Sequence, residues 1–94
     1  MELDEDVVNP KRFAIITLLL LFKRMTEGDL AKAVGISWGS LSSHLRRLEE
    51  RGYIRRKRAI TAKGIRTIVE ITDAGDKRYR EEAEKLKNLL DNIA

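Results

Sequence analysis

Ser37, Ser40, Ser42 and Ser43 fall within the stretch SWGSLSSHLRRL (37–48), together with Trp38, Gly39, His44, Arg46 and Arg47. Hydroxyls both donate and accept hydrogen bonds, and guanidinium groups donate in a fixed fork that suits phosphate or carboxylate. The chemistry open to such a stretch is therefore recognition of a polar or anionic surface. Leu41, Leu45 and Leu48 are interleaved four and three apart, as on a helix that turns one face to a core. Serine and glycine are weak helix formers, so the outward face carries residues that helix stability does not call for. Bond-making chemistry is not indicated. The chain has no Cys and one His, and it shows no acid–base pair, nucleophile set or phosphate-binding glycine loop. The expectation is a protein that is not an enzyme, with no cofactor and no metal. His44 sits beside the leucine stripe and reads as a packed histidine.

The charge distribution points the same way. The formal net charge is +4, but it is uneven. Residues 1–9 carry four acids and no base, whereas residues 37–72 carry nine Lys or Arg against three Glu. Residues 73–94 are close to balanced, with five bases and six acids. A basic middle third implies an acidic partner for that region; the plain alternative is a solvated charged face.

Ninety-four residues make one small domain, near the size at which a single core is barely sufficient and association helps. Without cysteine there are no disulfides and no thiolate metal sites. The longest apolar run, Phe13 to Phe22, is broken only by Thr17 and is about half the ~20 residues that span a bilayer. The N-terminus is acidic where a secretion signal needs positive charge. The expectation is a cytoplasmic protein that does not engage a membrane. Abundant Lys, Arg and Glu with no Gln also fits a thermophile.

The elements that must position these residues follow from local signals. After an acidic tail (1–9), Asn9 and Pro10 fit the cap and first position of a helix over 10–24, with Val8 placed to staple against Phe13. That helix is apolar all round and so asks for burial on both sides. Thr26 with Asp29 resembles a capping box opening a short second helix, which Gly35 ends. Ser37 caps the third helix, and Gly52 followed by Tyr53 fits a Schellman stop after Leu48. YIRRKRAI and IRTIVEI, joined across TAKG, read as a hairpin over 53–72. Thr72 can cap a last helix over 73–94, where Tyr79, Ala83, Leu86, Leu90 and Ile93 recur as a short heptad seam. The whole chain reads as a single domain, mainly α with one small β-hairpin.

Residues 30–45, LAKAVGISWGSLSSHL, resemble the helix-turn-helix of DNA-binding regulators. Ala31 is small where two helices cross, Gly35 supplies the turn, Ile36 packs beneath it, Ser37 caps, and Leu41 and Leu45 anchor. With LSSHLRRLEERGYI, the basic hairpin and RTIVEITDAG, residues 26–75 are similar to the winged helix-turn-helix regulators of the MarR, ArsR and PadR type, in their small one-domain versions. Metal-sensing ArsR proteins use Cys or His clusters, which this chain lacks.

That resemblance implies a helix-turn-helix over 26–52 whose last helix enters the major groove, and a wing that reaches phosphates or the minor groove. It makes Ser37, Trp38, Gly39, Ser40, Ser42, Ser43, Arg46 and Arg47 the candidates on the recognition helix. On the wing the candidates are Arg56, Arg58, Lys63 and Arg66. Ile16 and Leu20 of the first helix, with Tyr79, Ala83, Leu86, Leu90 and Ile93 of the last, are the expected contacts of a homodimer. The implied function is sequence-specific binding of double-stranded DNA as a transcriptional regulator, repressing by occupancy. Two other classes fit the same residues: a winged helix used for protein–protein assembly in transcription machinery, and a sequence-neutral DNA-coating protein. A small-molecule effector site at the dimer seam is compatible with this plan, but no residue marks one.

Overall fold

The computed structural model describes residues 2–93. In chain order it contains α1 (Glu5–Val8), α2 (Pro10–Phe22), β1 (Arg24–Thr26), α3 (Glu27–Val34), α4 (Trp38–Glu50), β2 (Ile54–Thr61), β3 (Gly64–Ile71) and α5 (Asp73–Asp91). Among the described residues no helix is long and apolar enough to cross a membrane.

The helix boundaries rest on local caps. The Asn9 side chain accepts from the amides of Lys11 and Arg12 with Pro10 at the first position of α2. Thr26 accepts from the Asp29 amide, Ser37 from that of Ser40 and Thr72 from that of Gly75. Each satisfies a donor that the first helical turn leaves unpaired. Gly52, at φ 74, closes α4. Its amide donates to the Glu49 carbonyl, and the Tyr53 amide reaches back to that of Leu48 at 2.9 Å, the paired bonds of a Schellman stop.

The three strands form an antiparallel sheet in the order β1-β3-β2. β2 and β3 are in register from Ile54↔Ile71 to Thr61↔Gly64, and β1 adds only the pairs Arg24↔Glu70, Met25↔Val69 and Thr26↔Ile68. The outer part of the hairpin, beyond Lys57↔Ile68, is thus a ribbon of two strands. The core gathers Val7, Ile15, Ile16, Leu19, Leu30, Leu41, Leu45, Leu48 and Val69, all fully buried, with Tyr53 and Ile54 beside them.

Three expectations change here. The acidic N-terminal stretch is not a tail: Glu5–Val8 form a helical turn, and Val7 enters the core. Ile16, expected at a contact between copies, is 0% exposed within this single chain. Tyr79 also stays inside the chain, stacked on Phe13 with ring centroids 4.7 Å apart and its hydroxyl 2.8 Å from the Thr17 hydroxyl. The physical reason is shared. α1 and α5 both lie against α2, so much of the surface that an all-apolar helix must bury is covered at home.

Candidate nucleic-acid interface

α4 is held by one face and open on the other. Leu41, Leu45 and Leu48 are fully buried, and the residues between them point outward. Ser42, Ser43, Arg46 and Arg47 are exposed, as are Ser37, Trp38 and Gly39 at the start of the helix, while Ser40 is half-buried. The hydroxyl of Ser37 is committed to its cap, 3.2 Å from the Ser40 amide. A Cβ built on Gly39 would meet nothing within 4 Å, so packing inside the chain gives no reason for a glycine there.

Trp38 is 61% exposed and forms one side of a groove of about 430 Å³ between α3 and the tip of the hairpin. Lys32, Thr61, Lys63 and Arg66 line it with Thr26, Gly28, Ala62 and one acid, Asp29. The groove brings the start of α4 and the hairpin tip, which lie far apart in sequence, onto one surface whose three cations, Lys32, Lys63 and Arg66, outnumber its one acid. At the tip the Thr61 hydroxyl donates to the Gly64 carbonyl at 2.7 Å and accepts from the Lys63 amide at 3.2 Å. These bonds fix the two-residue turn and with it the direction in which Lys63 projects.

The basic residues divide into two groups. Arg56 is not a free wing contact, contrary to expectation. It lies half-buried between α3 and α4, 2.8 Å from Glu49 and 3.2 Å from Glu27. These bonds hold the Glu49 carboxyl below the usual carboxylate range. Arg56 thus clasps the hairpin to both helices of the helix-turn-helix. Arg47 is exposed but shares Asp6 with Arg51, at 3.3 and 2.6 Å, and Arg51 also reaches Asp4 at 3.0 Å. The hydrogen bond from Arg51, with help from Arg47, lowers the Asp6 pKa despite some burial. Arg46, Arg58 and Lys63 have no carboxylate partner among the described residues. Arg66 donates to the Ile65 carbonyl at 2.9 Å and is otherwise exposed.

Beneath this surface, Arg12 lies 2.9 Å from Nδ1 of His44. Arginine has only donors, so His44 accepts there. Burial and the charges of Arg12 and Arg47 push the His44 pKa down, and the ring is a neutral, packed group. The N-terminal segment is fixed from the other side by Glu82, a fully buried carboxylate that accepts from the Asp4 amide and lies 2.7 Å from Lys85. Sequence reasoning placed neither the Asp4–Asp6 anchor nor the Arg56 clasp. Opposite charges were present, but only the fold says which of many acids faces which arginine.

The remaining expected association residues differ in exposure. Leu20 packs partly against the core, and Ala83 and Leu86 are half-buried. Leu90 and Ile93 are 66% and 81% exposed, and Leu89, Leu21 and Phe22 are exposed apolar residues that the spacing did not single out.

Residues 11–90 match the family model for the winged helix DNA-binding domain. An HTH-type transcriptional regulator of Bacillus subtilis, YdgJ, is 30% identical over 91 residues, covering 93% of this chain. The chain spans 55% of the length of that relative. A solved transcriptional regulator homologue from Pyrococcus horikoshii superposes with a TM-score of 0.89 at 30% identity, covering 96% of this chain and 89% of that one. A MarR family regulator from Silicibacter pomeroyi, at 17% identity, shares the fold with a TM-score of 0.73 over 89% of this chain and 55% of its own. The helix-turn-helix built on α3 and α4, the clasped β-hairpin and these likenesses lead to one conclusion: the chain belongs to the winged helix DNA-binding domain family.

Proposed function

We propose that the chain binds double-stranded DNA sequence-specifically as a homodimer and represses transcription by occupying its operator. The observation that carries this reading is the outward face of α4. It offers Gly39, Ser42, Ser43 and Arg46 with no packing role, beside the basic tip of the wing. Small residues let a helix backbone approach base edges, hydroxyls serve bases or phosphates, and arginine pairs with guanine or phosphate. Two copies of α4 about 34 Å apart would read successive major grooves of an inverted repeat. The exposed apolar side chains at and just beyond the end of α5 support association, with Leu89, Leu90 and Ile93 available to a second copy.

Selection from a random duplex pool, at near-physiological salt with competitor DNA, tests the reading. The expected product is an inverted repeat with half-sites about ten base pairs apart. Binding without an enriched motif would replace it with a sequence-neutral coating protein, and no binding would point to protein assembly. A promoter carrying the recovered repeat should give less transcript when the protein is added.

Gly39→Ala separates fold from function. Alanine in a helix is favoured over glycine by up to about 1 kcal/mol, and its methyl has open space within the chain. The variant is expected to melt no lower than the parent. It should nevertheless bind the selected duplex more weakly by about 1 kcal/mol or more, the scale of a single base contact. Equal binding by titration would show that α4 does not approach DNA at this point.

A further inference from the structure

The hairpin carries an apolar pair where its surroundings give it nothing to pack on. Ile60 and Ile65 are cross-strand partners, exposed by 88% and 56%. Because side chains alternate along a strand, they share a sheet face with Ile54, Arg56 and Val69. Nearer the body that face buries Ile54 and Val69 and carries Arg56 to Glu27 and Glu49. Further out it continues past the end of the core into solvent, beyond the three pairs that β1 makes with β3.

We infer that the Ile60–Ile65 pair is an apolar contact for the minor groove of DNA, lying against its deoxyribose walls; this rests on the DNA-binding function proposed above. Two observations commit the pair to DNA. The first is charge. Arg58 stands next to Ile60 on the same face, Lys63 is at the turn and Arg66 is on the opposite face, while no acidic residue occurs from Arg51 to Val69. Cations on both sides of an apolar pair suit a groove whose rims are phosphates and whose walls are sugar C–H groups. The second is continuity: Lys63 and Arg66 border the groove beside Trp38 at the start of α4, so the tip lies next to the recognition surface. The minor groove shows a degenerate pattern of base edges. A contact made by isoleucines therefore adds affinity and senses groove width rather than the identity of a base pair.

The test compares the double variant Ile60→Thr, Ile65→Thr with Arg58→Ala on the selected duplex over a range of salt. Threonine keeps the β-branch that a strand favours, and unchanged circular dichroism confirms an intact fold. The double variant is expected to bind about tenfold more weakly at every salt concentration, since each substitution withdraws roughly one methylene's worth of apolar burial against the sugars. Its slope of log affinity against log salt should match the parent's. Arg58→Ala should instead lower that slope by about one. Affinity within about twofold of the parent would overturn the proposal, and so would a changed oligomeric state, which would make the pair a contact between copies. If the parent chain binds no duplex, it is the DNA-binding reading that fails, and the parent titration shows this separately.

Discussion

Gly75→Ala is expected to destabilise the fold by about 3 kcal/mol, at the upper end for overpacking a close contact. For a chain of this length that corresponds to a melting temperature lower by roughly 12–24 °C. Gly75 lies in the first turn of α5, where propensity alone favours alanine. The obstacle is tertiary. A Cβ there would fall well inside van der Waals contact distance of the Tyr53 carbonyl oxygen and 3.0 Å from the Ile71 side chain. That carbonyl cannot simply withdraw, since it accepts from the Thr72 amide at 3.0 Å, and the Thr72 hydroxyl donates to the Gly52 carbonyl at 2.6 Å. The end of α4, the start of β2 and the start of α5 meet at this point, and a methyl group would push them apart. Thermal melts at one fixed protein concentration provide the measurement, with Gly39→Ala as the control that should not fall. Equal melting of the Gly75 variant and the parent would mean that the junction can open without cost.

Changing Leu90 and Ile93 together to glutamate should produce the largest functional effect. These side chains are 66% and 81% exposed, so the change spares the monomer's core, and the circular dichroism spectrum should be retained. If α5 seats a second copy, sedimentation equilibrium will show a monomer. Affinity for the inverted repeat should then fall by about 100-fold or more, because the second half-site no longer gains from the tether to the first. Affinity for a single half-site should be preserved. A variant that sediments like the parent would locate association elsewhere, with the exposed Leu21 and Phe22 at the end of α2 as the next surface to change.

The parts of the fold that were legible in the sequence are those fixed within a few residues. Asn9, Thr26, Ser37, Gly52 and Thr72 mark helix ends because each completes hydrogen bonds no more than five residues away. The buried face of α4 follows from three leucines and helical period. β1 was not legible: three residues are too few to show alternation, and its partner β3 lies more than forty positions on. Nor was the glycine at 75, whose need arises from the Tyr53 carbonyl. Among the site residues, the open side of α4 was readable from its small side chains. The diversion of Arg56 to Glu27 and Glu49 was not, because nothing in a run of four basic residues distinguishes the one whose strand position turns it inward. Ile16 was misplaced for a related reason. An apolar helix shows that it must be covered, and α1 and α5 decide by what.

The anchoring of Asp4 and Asp6 on Arg47 and Arg51 has an effect at a distance as well as at close range. It holds four of the chain's acidic residues, Glu2, Asp4, Glu5 and Asp6, by the far end of α4, while the unpaired Arg58, Lys63 and Arg66 gather on the wing, whose tip lies beside the start of that helix. The molecule is thereby electrically lopsided. In the field of a polyanion such a particle feels a torque before it touches anything, and approach turns its wing and the front of α4 forward. Fewer encounters are then wasted on the wrong face, and alignment begins in free diffusion.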